Sequence, residues 1–198
     1  MTSNGHVFFS LATIIFVKRA ELTKSIENAD FWHLVFASFL TCLLPDIDHT
    51  QSFIGKKLKF LSKSISRIFG HRGFTHSLFC LLNIFILQKI ITNLSIIPYD
   101  IGQGFFLGYL SHILADSFTP HGVKLFWPLK YRFRIPFLKN YKNYQSEKIF
   151  CILIISYVTW YPMKYSLYYH NRWLKFVIFF IKTKIFYLKY LITLYFST

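Results

Sequence analysis

Five apolar stretches leave this chain few ways to fold. They lie at about residues 7–17, 31–44, 77–97, 101–118 and 149–163, and short turns or basic blocks separate them. A soluble domain carries about a quarter charged residues. This chain carries 16%, against 54% apolar and 21% aromatic. The pattern predicts an all-α, polytopic membrane helical bundle of about four to five apolar helices plus a C-terminal amphipathic helix. Residues 1–148 read as the principal domain and 149–198 as C-terminal apolar and amphipathic helices. A full span takes about 20 residues, so the first two stretches are expected to be tilted or half-buried. Residues 173–196 contain Lys175, Lys182 and Lys189, seven apart and hence one stripe. Lysine is costly in mid-bilayer, which favours a helix lying at the interface.

The formal charge of +15 invites a nucleic-acid reading, but its distribution argues against one. Lys56, Lys57, Lys59, Lys63, Arg67 and Arg72 form one block, and Lys130, Arg132, Arg134, Lys139, Lys142 and Lys148 another. Basic blocks between apolar segments mark cytoplasmic loops that meet anionic headgroups. The expected partners are therefore membrane lipids. Cys42, Cys80 and Cys151 are isolated and expected to be free thiols. The N-terminus lacks the basic region and cleavage site of a signal peptide.

This orientation has a consequence for the polar residues. If both basic loops are cytoplasmic, the third stretch leaves that face and the fourth returns to it. His6, Asp46, Asp48, His49, His71, His76, His112 and Asp116 then all meet at the cytoplasmic face. His112 and Asp116 stand four apart, on one side of a helix, a spacing that gives two ligands to one metal. It also occurs by chance as a surface pair. Leu44 to His49 places two carboxylates and an imidazole beside Pro45, either as ligands or as a helix-stop loop. The run His71-Arg72-Gly73-Phe74-Thr75-His76-Ser77 adds two imidazoles, an arginine suited to phosphate or carboxylate, and Thr75 or Ser77 as a helix cap.

Gly104, Gly108, Ser111 and Ala115 form a small-residue stripe suited to close helix packing. Thr119-Pro120-His121-Gly122 reads as a loop over the site, with Trp127 an expected interfacial anchor. A His/Asp set without cysteine suits Zn²⁺ first, then Mn²⁺ or Fe²⁺. Eight donors exceed the needs of one tetrahedral ion, so two or more ions are expected. Such a centre activates water against a phosphoester. The chain has no G-x-S-x-G, P-loop or G-x-G-x-x-G, so serine hydrolase, kinase and Rossmann readings lack support.

Gly5-His6, Leu43 to His49, Gly70 to Ser77, Gly108 to Asp116 and Thr119 to Val123 together resemble the LexA-regulated bacterial membrane-bound predicted metal-dependent hydrolases. The resemblance covers roughly residues 1 to 136 and weakens beyond. It implies metal positions at His6, Asp46, Asp48, His49, His71, His76, His112 and Asp116, and an inner-membrane location. It also implies a remote relation to zinc-dependent phospholipase C and P1-nuclease-like helical enzymes. The expectation is a hydrolase of phosphoester or phospholipid-like substrates, with Asp46 or Asp48 orienting water and Arg72 holding phosphate. The alternative is a non-catalytic membrane metal-binding or transport protein, which needs its ligands near mid-bilayer. A third reading is a relic with little activity.

Overall fold

Local chemistry sets the start of nearly every helix. The computed structural model describes residues 1–135 and 144–160. Thr2 caps α1 (Ser3–Arg19) by accepting from the Gly5 amide. Thr23 caps the short α2 (Lys24–Asn28), and Asp30 caps α3 (Phe31–Thr41). Each cap satisfies an amide that has no partner inside its helix. Ser52 caps α4 (Phe53–Lys57), which leads into α5 (Lys59–Phe69). Ser77 caps α6 (Leu78–Asn93) through the Cys80 amide, and α7 (Tyr99–Ser117) follows Pro98. The last described helix is α8 (Tyr144–Trp160).

α3 stops at Thr41, and a 3₁₀ turn from Leu44 to Asp48 follows, with Pro45 in its first turn. Proline suits that place because its missing N–H would have no intrahelical acceptor there. A second 3₁₀ turn, Phe74–His76, precedes α6. No β-strand forms among the described residues; one isolated bridge joins Val123 to Phe133.

α7 is the central helix. It packs against α1, α3 and α6, while α8 lies along α1. Its contact with α3 is close because the facing residues are small. A Cβ added to Gly104 would come within 2.6 Å of Ala37 Cβ, and one on Gly108 would collide with Ser38 O and Thr41 Oγ1. The expected packing stripe is therefore real, and it allows Thr41 Oγ1 to donate to the Phe105 carbonyl. Ile14, Val17, Ile26, Leu34 and Leu107 form one core cluster; Leu81, Tyr109, Ile113 and Val123 form another.

Much apolar surface faces outward, including Trp32 and Phe36 on α3, Phe79 and Ile86 on α6, and Ile152 and Leu153 on α8. Exposed patches of this kind mark contact with a membrane or a partner. The all-helical bundle matches the sequence. The expected four to five spans do not all emerge: among the described residues only Phe31–Asp48 has the length and apolar character to cross a membrane, and α6 is apolar but shorter. The amphipathic segment at 173–196 lies outside the described residues. The Trp127 ring packs edge-on against Phe69 and Phe74.

Candidate metal centre

The start of α1, the end of α3, the start of α6 and the end of α7 meet at one end of the bundle. Four of their side chains converge. Asp46, His76, His112 and Asp116 each offer a donor atom, and these atoms all lie within 4.8 Å of one another. His76 Nε2 is 3.1 Å from His112 Nε2. Asp46 Oδ1 lies 3.9 Å from the first and 3.6 Å from the second. Asp116 Oδ2 lies 3.6 and 4.0 Å from the same two nitrogens.

The far sides of both imidazoles are held. His112 Nδ1 donates to the Cys42 carbonyl at 2.6 Å. That carbonyl belongs to the residue that ends α3, so the helix end orients the ring. His76 Nδ1 sits 3.0 Å from Thr75 Oγ1 and 3.3 Å from Asp48 Oδ2. Metal-binding histidines show this arrangement, one ring nitrogen toward the ion and the other hydrogen-bonded behind it. Burial opposes a charge on His76, but the neighbouring Asp116 and Asp48 carboxylates prevail and push its pKa up to about 9.

Asp46 and Asp48 are separated by one residue yet face different partners. Asp48 is fully buried and turns away from the cluster. Its Oδ1 meets His71 Nδ1 at 3.0 Å, and its Oδ2 accepts from the Arg72 amide at 2.8 Å and from Thr75 Oγ1 at 2.7 Å. The Arg72 backbone is left-handed, with φ of 55°, and this turns its amide to Asp48. Arg72 Nη2 pairs with Asp116 Oδ2 at 2.7 Å, and Nη1 donates to Thr119 Oγ1 at 3.2 Å.

His6 is buried, and its ring stacks on that of His112 with centroids 3.7 Å apart. Neither of its nitrogens has a hydrogen bond among the described residues, and Nε2 stands 3.5 Å from Asp116 Oδ1. A buried imidazole without a partner is costly, so this position fits a ligand seeking a cation. The donor set of nitrogen and oxygen atoms fits Zn²⁺, Mn²⁺ or Fe²⁺.

His49 and His71 stand at the rim, rings edge to face at 4.7 Å. His71 is 44% exposed, and His49 Nδ1 accepts from the Gln51 amide. Both line a cavity of about 660 Å³, with Asp46, Arg72, His121 and Arg132. The structure thus sorts the eight sequence candidates. Asp46, His76, His112 and Asp116 form the cluster, with His6 beside it; Asp48 supports it from behind; His49 and His71 face the cavity.

One residue escaped the sequence reading. Glu147, on α8, is buried against the N-terminal turn. Its Oε1 accepts from the Thr2 amide at 2.8 Å and from Thr2 Oγ1 at 2.6 Å. It fills the place a Cβ on Gly5 would need, which explains a glycine beside His6. No motif surrounds it. The available signal was its isolation as the sole acid after Asp116.

Comparison with known proteins identifies the family. The model of the family "YdjM inner membrane protein" matches residues 1–196. The chain belongs to the YdjM inner membrane protein family. Inner membrane protein YdjM of Escherichia coli K12 is 51% identical over 165 residues, 82% of this chain and 83% of that protein. The Shigella flexneri YdjM protein matches to the same extent. YvsG of Bacillus subtilis 168, named as uncharacterized, is 39% identical over 114 residues, 58% of this chain and 69% of its own length. No solved structure matches. YdjM-family membership supports a bacterial inner-membrane location and agrees with the outward apolar faces.

Proposed function

We propose that this membrane protein is a metal-dependent hydrolase of phosphoester or phospholipid-like substrates. The observation that carries the reading is the double hold on His76 and His112. Their Nε2 atoms point at each other between two carboxylates, while Asp48 and the Cys42 carbonyl fix their Nδ1 atoms. Asp46, His76, His112 and Asp116, with His6, would hold a divalent cation, Zn²⁺ first. A cation there supplies Lewis acidity toward a phosphoester oxygen and toward water.

The chain's own residues supply the rest. Asp46 reaches both the cluster and the cavity, so its carboxylate accepts a proton from an attacking water. Arg72 and Arg132 line the same cavity and suit the non-bridging oxygens of a phosphate. Asp48, engaged on both oxygens, positions His76 and takes no proton from water. His49 and His71 at the rim are suited to a second ion or to the substrate.

The orientation is part of the proposal: a multi-pass chain with this end of the bundle at the cytoplasmic face, supported by the basic blocks. A transport role is less well supported, because the cluster lies at the helix ends instead of midway along them. Cysteines placed at Thr50 and Asp100 are expected to label from opposite sides of the membrane.

The decisive experiment is metal analysis of protein purified in detergent, coupled to a screen of phosphoesters and lipids. The expected result is at least one tightly bound equivalent, lost in the His76→Ala/His112→Ala variant together with turnover. Sub-stoichiometric metal, unchanged by that variant, would rule out the centre. Tight metal without hydrolysis of any tested ester would leave a binding protein and defeat the enzymatic reading.

A further inference from the structure

α4 and α5 carry a surface that the metal centre does not use. Between His49 and Arg72 the chain contains five lysines and arginines and no Asp or Glu. Lys59, Lys63 and Arg67 are spaced four apart along α5 and so form one stripe. Beside this stripe α5 exposes Phe60, Leu61 and Ile68, with Leu58 exposed just before the helix and Phe60 93% exposed. On the edge that α5 turns inward, Ser62 is fully buried and Phe69 packs against Phe74 and Trp127.

A soluble amphipathic helix hides its apolar face and wets its polar one; α5 instead leaves Phe60, Leu61 and Ile68 outside. A helix that exposes phenylalanine, leucine and isoleucine needs an apolar medium on that side. Its cationic stripe needs an anionic layer beside it. The interface of a bilayer provides both. The stripe also borders a hollow of about 750 Å³ lined by Thr50, Gln51, Lys56, Lys59, Phe60 and Lys63. Three ammonium groups, a hydroxyl and an amide surround this space, with a phenyl ring at its edge.

We propose that α4 and α5 lie in the membrane interface and that this hollow binds the phosphate of an anionic phospholipid headgroup. The lysines and Thr50 take the phosphate oxygens, and Phe60 packs against the start of the acyl chains. The inference does not depend on a metal or on hydrolysis. It does place a lipid phosphate next to the cavity lined by Asp46, His49 and His71, because Gln51 lines both spaces.

The test uses the full chain in uncharged detergent, with phosphatidylglycerol as probe and phosphatidylcholine as reference, binding being read by native mass spectrometry. The wild type is expected to prefer phosphatidylglycerol. Each lysine near an anionic surface is worth roughly fivefold, so K56Q/K59Q/K63Q is expected to lose ~100-fold at low salt. On the unmodified protein, raising salt should erode the preference. Phe60→Ser should weaken lipid binding without abolishing it. K24Q/K124Q/K130Q, with the same charge loss elsewhere, should keep the preference. Equal binding of both lipids, a triple variant that binds as wild type, or an equal loss in the control variant overturns the proposal. Full displacement of lipid by millimolar inorganic phosphate also overturns it, since the ligand is then a free ion.

Discussion

Replacing Asp48 by Asn separates a residue that supports the metal centre from one that binds the ion. Asp48 makes two short contacts through Oδ2, to the Arg72 amide and Thr75 Oγ1, and one through Oδ1, to His71 Nδ1. An asparagine that places its oxygen at Oδ2 keeps both short contacts, and its NH₂ then faces His71, which accepts after a change of tautomer. The geometry survives and the charge is lost. A hydrogen bond to a charged group contributes about 1.5–3 kcal/mol, a neutral one about 0.5–1.5. The difference of ~1–1.5 kcal/mol predicts metal affinity weakened about tenfold, with stoichiometry unchanged. This lies at the low end of the 10- to 100-fold effect usual for residues behind metal ligands. The measurement is a competition titration against a chromogenic chelator in detergent. It must be run near pH 9. At neutral pH the variant also loses part of the proton held on His76, which offsets the weaker binding. Unchanged affinity at pH 9 would refute the supporting role, and loss of a whole metal equivalent would make Asp48 a direct ligand.

Three further outcomes follow from the same geometry. His76, raised to about 9, holds its proton at neutral pH, and an ion must displace it. Chelator titrations should therefore show metal affinity rising about tenfold per pH unit from 7 toward 9 and levelling above; an affinity flat across this range would contradict that assignment. Gly108→Ala forces a methyl group into Ser38 O and Thr41 Oγ1. Overpacking costs about 1–3 kcal/mol, more than the ~1 kcal/mol gained in helix propensity, so the thermal midpoint should fall, and a rise would show the seam to be loose. Gly5→Ala should weaken metal binding because its Cβ meets Glu147, and Glu147→Ser should restore it; a double-mutant cycle showing simple additivity would break that link.

The sequence disclosed different features to different degrees, for physical reasons. The positions of the apolar helices were legible because turn and cap residues mark them: Ser77 caps α6 and Pro98 precedes α7. The basic block read as a loop instead folds into α4 and α5, because its apolar residues are too few to mark a segment by hydropathy. The meeting of His6, Asp46, His76, His112 and Asp116 was legible because charged loops orient the apolar segments. The division of labour between Asp46 and Asp48 was not. Residues two apart diverge on a 3₁₀ turn and on an α-helix alike, but nothing in L-P-D-I-D-H says which of the two carboxylates faces the cluster. Glu147 was hidden because its partner, Thr2, lies 145 positions away. The number of spans stayed open because hydropathy marks apolar faces and does not measure depth.

The tight seam between α3 and α7 also determines where the chain tolerates a change of length. The Cys42 carbonyl that orients His112 stands one position past the last residue of α3. One residue inserted between Gly108 and His112 would turn His112 by about 100° around its axis and swing its ring off both Cys42 and His76. The same insertion at Ser95 to Pro98, in the turn joining α6 to α7 at the far end, would alter only the connection. Tolerance to insertion is therefore lopsided along this molecule: intolerant between Thr41 and Asp48 and between Gly108 and Asp116, permissive at the opposite pole. A homologue with an enlarged α6–α7 turn can keep the same centre, whereas one with a shifted α3 terminus cannot.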